Sequence, residues 1–369
     1  MKINELDTPA LIIDRERMLD NAKFMQAFAD KNGVALRPHT KTHKMPEIAR
    51  ITIELGACGI AVAKVGEAEA MAEKGFKDIF IANEIVGIIK LERILALQNK
   101  DVDISFGIDC PYHVREIEEV FKNASKPAQV LIEIEVGENR SGIIEECDYL
   151  VLLDTLKECP HVHLKGLFSH DGNTYGAPSV AACREIAVEA QKRTVHFAEI
   201  ARENGLECEV VSYGSTPTLM NEIPIVKGIT ELRPGTYIFM DAGQSQAIGT
   251  YERCAATVLA TVISKPTPER TIMDVGAKGL TKETRKGGIC DTPGMGTFLD
   301  YPHLQVTKLY DEHTIIINKE FHDLVEVGDK LRIIPVHICP VCNLYDEAYL
   351  VSGDEVIATL EVAGRGRQQ

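Results

Sequence analysis

Eight short runs rich in β-branched and apolar residues recur through the first two thirds of the chain. They are GVALRPH (33–39), CGIAVA (58–63), DIFIAN (78–83), VDISFGI (102–108), QVLIEIEV (129–136), LKGLFSH (164–170), ECEVVS (207–212) and ITELRPGTYIF (229–239). Most intervals between them carry apolar residues at helical spacing. PEIARITIELGA and VGEAEAMAEKG are two, the second closing on Gly75 as a C-cap signal, and 177–205 is the longest. Strands that alternate with helices make parallel βαβ units. Eight such units in roughly 250 residues is the size of a (β/α)8 barrel. An open, doubly wound sheet is the rival, but it usually follows its first strand with a Gly-rich phosphate turn. Here the first run leads into RPHTKTHK, which has no glycine.

From about residue 250 the texture changes. ATVLATVISK, RTIMDVGA, LQVTKLYDEHTIIIN, DKLRIIPVHIC and EVIATLEVAG are short strand patterns, with turns such as PTPER and VEVGDK between them. They predict an antiparallel β domain. The expected division is a barrel over 12–248 and a β domain made of 1–11 with 249–369, YERC (251–254) marking the crossover.

The 40 Lys and Arg against 55 Asp and Glu leave a net charge of −15. An acidic surface argues against a nucleic-acid or anionic-membrane partner, because phosphate contacts need clustered Lys and Arg. No run of about 18 apolar residues suggests a membrane span. The start, MKINELDTPALIID, lacks the apolar core of a secretory signal. The ten cysteines form no regular framework, so a cytoplasmic protein with reduced thiols is expected.

In a barrel, chemistry gathers where strands end and βα loops begin. His39 and Lys41 stand at the first such end, with His43 and Lys44 close behind. Asn83 and Glu84 end the third strand, Asp109 follows the fourth, and GENRSG follows the fifth with Arg140 inside it. SHDGNTYG follows the sixth and brings His170, Asp171 and Tyr175. SYGSTPT (212–218) follows the seventh, and RPGTYIFMDAG (233–243) spans the eighth. Either of these last two loops alone reads as a plain turn. Together they match the recurrent phosphate site of such barrels, where small residues let N–H groups approach an anion. A lysine at the first strand end, facing a phosphate site at the last ones, points to pyridoxal phosphate chemistry. A barrel with a phosphate site hosts many other chemistries too.

VHICPVCNLYDE (336–347) is the other constellation. His337 and Cys339 are two apart, so on a strand they share a face and can offer an imidazole and a thiolate to one divalent ion, zinc being favoured. No second C-x2-C and no paired histidines complete a zinc ribbon around Cys339 and Cys342. A buried cysteine beside a satisfied core histidine is the plainer account of a single H-x-C. His161, His163, His196, His303, His313 and His322 belong to no constellation.

LDTPALIID, RPHTKTHK, GENRSG, SHDGNTYG, GSTPT, RPGTYIFMD and HICPVCNLYDE occur in the order seen in the D-serine dehydratase / D-threonine aldolase family. The resemblance spans nearly the whole chain. Those are fold-type III pyridoxal phosphate enzymes, with an alanine-racemase-like (β/α)8 TIM barrel followed by a β domain. The resemblance implies that Lys41 is the Schiff-base lysine and that Arg140 contacts the phenolic oxygen of the cofactor. It places Tyr175 near the pyridine nitrogen. Ser215, Thr216, Gly235 and Thr236 would form the phosphate cup, with Tyr237 beside it, and His337 and Cys339 would be the metal ligands. The dehydratase branch carries His-x-Cys and zinc, whereas well-known aldolases carry His-Cys-Asp and manganese or magnesium. His337-Ile338-Cys339 resembles the former, although PVCN departs from the usual Thr-Val and leaves Cys342 without a role.

The implied activity is that of a lyase on small D-3-hydroxy amino acids. The first expectation is a D-serine/D-threonine dehydratase, giving a 2-oxo acid and ammonia, with Lys41 as general base. The alternative is a D-threonine or 3-hydroxy-D-aspartate aldolase, giving glycine and an aldehyde, with His170 as base. An amino-acid racemase, which would not need the metal pair, is a further alternative. A non-catalytic pyridoxal phosphate carrier generally consists of the barrel alone. The resemblance also implies a homodimer with its site near the interface.

Overall fold

The eight parallel strands expected in the first two thirds form one sheet. The computed structural model describes all 369 residues. After β1 (Ala10–Asp14) come β2 (Ala35–Leu36), β3 (Ile60–Val62), β4 (Asp78–Glu84), β5 (Asp103–Ile108), β6 (Ala128–Glu133), β7 (Val162–Phe168), β8 (Val210–Tyr213) and β9 (Glu231–Leu232). The last eight lie side by side in the order β2-β9-β8-β7-β6-β5-β4-β3, all parallel. Backbone bonds from Cys58 to Leu36 and from Ala61 to Pro38, both 2.9 Å, close β3 onto the end of β2. Helices cover the outside, so these strands are apolar on both faces, and Ile104, Phe106, Val130 and Ile132 are fully buried. Local signals set the helices. Asp14 caps Arg15–Asn32 through its side chain, and Gly33 (φ 65°) ends it in the left-handed region.

The second sheet comprises β10 (Ala256–Thr267), β11 (Arg270–Met273), β12 (Thr297–Phe298), β13 (Lys308–Leu309), β14 (Thr314–Ile317), β15 (Lys330–Ile334), β16 (Glu347–Ser352), β17 (Glu355–Glu361) and β1. Its order is β13-β14-β11-β10-β1-β16-β17, with β15 paired to β10 and β12. It is antiparallel except where β1 runs parallel to β16. Neither β1 nor β16 was expected as a strand. Residues 12–14, expected in the barrel, finish β1 in this second sheet.

Two prolines correct two further expectations. ITELRPGTYIF is not one strand: β9 stops at Leu232, and after Pro234 and Gly235 the residues Thr236–Ile238 make a 3-10 turn. DKLRIIPVHIC likewise breaks at Pro335. His337 precedes a five-residue helix, Ile338–Cys342. His337 and Cys339 therefore do not share a strand face; the start of this short helix brings them together.

Inside the barrel, Arg37 joins two strands. Its Nε lies 2.7 Å from Glu231 and its Nη1 2.6 Å from Asp78. A Cβ on Gly59 would occupy the place of that guanidinium, so the glycine is required by close approach. The Glu231 side chain is only 5% exposed and, without Arg37, keeps only hydrogen bonds from Ser212 (2.7 Å) and from the Cys58 thiol (3.7 Å). Breaking a buried pair by removing one partner costs about 3–5 kcal/mol. Arg37→Ala is expected to lose that much in urea unfolding, and a loss under about 1 kcal/mol would show that the pair is replaceable by water.

Candidate active site

Lys41 owes its place to the turn that ends the first barrel strand. His39 bridges to Ala61, the Thr40 hydroxyl donates to the Ala61 carbonyl (3.0 Å), and Thr40–Thr42 wind into a 3-10 turn. His39 and His43 are buried neutral imidazoles. Burial and the Lys41 charge push His39 well down, and burial takes His43 to about 3. The His43 Nδ1 accepts the Met45 N–H (3.0 Å). Lys44 is not an ordinary surface lysine. It is buried at φ 58°, with Nζ 2.8 Å from Asn343 and 3.0 Å from Glu67, and so pins the turn to the second domain. The Lys41 amine has no such partner. Burial lowers its pKa, the Cys339 thiolate pulls it back, and Arg140 and Arg233 push it down again, which favours the free nucleophilic amine.

That amine opens on a cavity of ≈270 Å³ walled by Arg140, His170, Tyr175, His337 and Cys339. Ser215, Thr216, Gly235 and Thr236 line it too. Tyr237 does not; it is buried beside them with a hydroxyl that finds no partner. Asp109 also lies off the cavity, with Cys110 and His113 at the start of helix Pro111–Phe121, where the His113 Nδ1 accepts the Asp109 N–H (3.2 Å). Asp171 is fully buried. It accepts from Tyr213 (2.5 Å) and Thr218 (2.6 Å), tying the sixth loop to the seventh.

The loops after β8 and β9 fit a phosphate. Thr216 and Thr236 open their helical turns, so their N–H groups have no partner within them. The Ser215 hydroxyl is clustered with those of Thr174 (3.2 Å) and Thr218 (3.1 Å). Gly214 adopts φ +141°, and a Cβ on Gly235 would lie 2.9 Å from the Thr42 hydroxyl. This donor set, with the nucleophilic lysine across the cavity, suits pyridoxal phosphate.

Arg140 is fixed by carboxylates. Its Nη2 lies 3.0 Å from Glu133 and its Nη1 3.4 Å from Glu138. Glu133 also accepts from Ser141 (2.7 Å) and shares a hydrogen bond with Glu84. Burial, then the neighbouring Glu133, raise the Glu84 carboxyl to about 9, so Glu84 carries the shared proton. The Glu138 carboxylate holds the His170 Nδ1 at 2.8 Å, occupying space that a Cβ on Gly172 would fill. This leaves Nε2 as the nitrogen of His170 free for the cavity.

The imidazole–thiolate pair is built the same way. Glu283 straddles the His337 Nδ1 at 2.9 and 3.0 Å. His337 is hydrogen-bonded to Cys339, whose sulfur also lies 3.3 Å from the hydroxyls of Thr236 and Thr42. Burial would raise the Cys339 thiol, but the His337 charge and these bonds win and bring it to about 7. The thiolate is the metal-binding form. Cys342 is fully buried in the core and kept a thiol by burial, and it takes no part.

The sequence reading did not single out Glu138, Arg233, Glu283 or Arg285. The first two lie inside motifs already quoted. Glu283 and Arg285 stand in TKETRKGG, which carries no periodicity to mark it.

Glu84 keeps its proton in the folded chain up to about pH 9, whereas the ordinary value is 4.5. Between these values folding takes up a proton. The stability this group contributes is therefore full below the unfolded value and lost as pH rises through the folded one. Glu84→Gln removes the dependence. In urea unfolding the variant should gain on the parent as pH rises from about 6 to 9; a difference that ignores pH would place the shared proton elsewhere.

Comparison with known proteins agrees with this architecture. The family model of the alanine racemase N-terminal domain matches residues 13–243, and that of a serine dehydratase domain matches 255–351. The chain is 33% identical to D-threonine aldolase from Arthrobacter sp., covering 98% of this chain and 93% of that one. It is 29% identical to D-threo-3-hydroxyaspartate dehydratase from Delftia sp. (strain HT23), covering 96% and 97%. The solved structure of that dehydratase superimposes with a TM-score of 0.90 over 98% of both chains, and a cysteine-to-alanine variant of it is described as metal-free. D-threonine aldolase from Filomicrobium marinum superimposes with a TM-score of 0.88 at 30% identity, covering 99% and 98%. No helix of this chain is long and apolar enough to cross a membrane. With its parallel barrel, its appended sheet and both halves matched, the chain belongs to the D-serine dehydratase / D-threonine aldolase family of fold-type III pyridoxal phosphate lyases.

Proposed function

We propose that this chain dehydrates small D-3-hydroxy amino acids such as D-serine and D-threonine, releasing a 2-oxo acid and ammonia. One observation carries the reading: a thiolate–imidazole pair, Cys339 and His337, lines the same small cavity as the unpartnered Lys41 amine. Lys41, Arg140, Tyr175 and the Ser215–Thr216 and Gly235–Thr236 turns would hold pyridoxal phosphate, which supplies an aldehyde and an electron sink. His337 and Cys339 would hold a divalent ion, which supplies Lewis acidity at a hydroxyl. A thiolate ligand favours zinc over manganese or magnesium.

The chain's own groups supply the proton transfers. Lys41 Nζ, its pKa lowered, is the base that takes the Cα proton. His170 Nε2, with Nδ1 committed to Glu138, exchanges a proton at the substrate hydroxyl. The same His170 supports a second reading, aldol cleavage, in which it removes the hydroxyl proton. The working unit in this reading is a cytoplasmic homodimer. Ile88 and Ile89, 57% and 75% exposed at the start of helix Ile88–Gln98, are apolar surface for a second copy to cover.

Product identity decides between the readings. Pyruvate from D-serine and 2-oxobutyrate from D-threonine are expected; glycine and acetaldehyde, with no oxo acid, would replace dehydration by aldol cleavage. Lys41→Ala is expected to lose both turnover and the visible absorbance of the cofactor. Glu283→Ala leaves the His337 ring without its orienting acceptor. Metal affinity, read by chelator competition, should fall about 10- to 100-fold while the absorbance band stays. Unchanged affinity would show that Cys339 alone positions the ion.

A further inference from the structure

Four lysine and arginine side chains line the cavity: Lys41, Arg140, Arg233 and Arg285. Three are accounted for. Lys41 is the nucleophilic amine. Arg140 is held by Glu133 and Glu138. Arg233 donates to Ser212 (2.5 Å) and to the Ser169 carbonyl (2.8 Å), with its guanidinium 5.7 and 5.2 Å from the Phe80 and Phe168 rings. Arg285 is different. Its side chain is 15% exposed and its nearest carboxylate, Glu283, is 3.8 Å away. Both oxygens of Glu283 already face His337. The Arg285 Nη1 is buried with no partner at all.

The arginine is nevertheless deliberately seated. Its own N–H and carbonyl are paired with Thr292 (3.4 and 3.0 Å). The same loop folds onto the sixth barrel loop, where the Cys290 N–H reaches the Tyr175 carbonyl (3.4 Å). A Cβ on Gly288 would lie 2.5 Å from Gly176, and one on Gly243 would lie 2.7 Å from the Arg285 Nη1. The guanidinium sits 5.4 Å from the centre of the Tyr175 ring. A charged, largely buried fork with a spare donor in a cavity is a site for an anion.

We propose that Arg285 is the residue that binds a carboxylate of the substrate. The proposal rests on the lyase reading above, in which an amino acid enters this cavity. A planar guanidinium pairs with a carboxylate through two parallel bonds, which a lysine cannot reproduce. Glu283 touches both Arg285 and His337, so the anion site adjoins the metal pair. The carboxylate it takes is either the one on Cα, common to all these substrates, or a second one carried on Cβ.

The test uses the holoenzyme with Arg285→Gln and Arg285→Lys. Visible absorbance and metal content report whether the cofactor and metal sites survive. KM and kcat are measured for D-serine, D-threonine and D-3-hydroxyaspartate, and the binding of succinate, an unreactive dicarboxylate, by calorimetry. KM should rise about tenfold or more with a smaller change in kcat, and Lys should rescue only partly. A rise for all three substrates assigns the Cα carboxylate. A rise confined to D-3-hydroxyaspartate, with weaker succinate binding, assigns the carboxylate on Cβ. KM values and succinate affinity all within about threefold of the parent, with absorbance and metal intact, would overturn the role of Arg285. A parent protein that shows no cofactor band would overturn the lyase reading instead, and succinate affinity would still report on Arg285.

Discussion

The site depends on one buried carboxylate, Asp241, at the seam between the barrel and the second sheet. One oxygen caps helix Ala242–Ile248 by accepting the Gln244 N–H (2.8 Å), and the other accepts the Ile338 N–H (3.1 Å). Beside it, Ala242 and Gly243 donate to the carbonyls of Pro335 and Val336. These bonds join the eighth barrel loop to the end of β15 directly. Because that loop also carries Gly235 and Thr236, the join fixes the thiolate of Cys339 against the phosphate-type turn and against the Lys41 turn at once. Neither layer could place the three groups alone.

Much of this was legible in the sequence for a physical reason. Strands buried on both faces need near-continuous apolar runs, and the seven from Ile60 to Leu232 read that way. Strand ends then gave Lys41, Arg140, His170, Tyr175 and the two glycine turns by position alone. The failures have equally definite causes. Pro234 and Pro335 sit inside otherwise strand-like runs and stop them, which turned His337 and Cys339 from strand neighbours into helix-start neighbours. ALIID in β1 has no alternation because both its faces are covered, and its parallel partner β16 lies more than 330 residues away. No local pattern reports such a pairing. Glu283 and Arg285 were invisible because a loop residue acquires its role only from what the fold sets opposite it.

Two histidines on the cavity wall are fixed by one device. His170 turns Nδ1 onto Glu138, and His337 turns Nδ1 onto Glu283. A carboxylate on one ring nitrogen settles which nitrogen carries the proton, and so leaves the other as a base or a ligand of fixed direction. The difference lies in what surrounds each ring. His170 has the Arg140 guanidinium 3.4 Å from the same nitrogen. His337 faces the Cys339 thiolate, which favours positive charge on its ring.

The two glutamates also come from different layers, and that separates the chemistry each layer can do. The barrel by itself supplies the lysine, the anion turns, Arg140 and the Glu138–His170 pair. That set suffices to hold an aldehyde cofactor and move a proton. It contains no soft ligand. His337, Cys339, Glu283 and Arg285 all arrive with the second domain, on the turn after β15 and the loop before β12. A substrate that is only an amine and a carboxylate on one carbon would need little of this. An imidazole, a thiolate and a spare guanidinium set together beside the lysine suit a molecule with oxygen functions beyond Cα. In the proposed function, the second domain thus narrows a barrel able to hold pyridoxal phosphate toward hydroxylated amino acids.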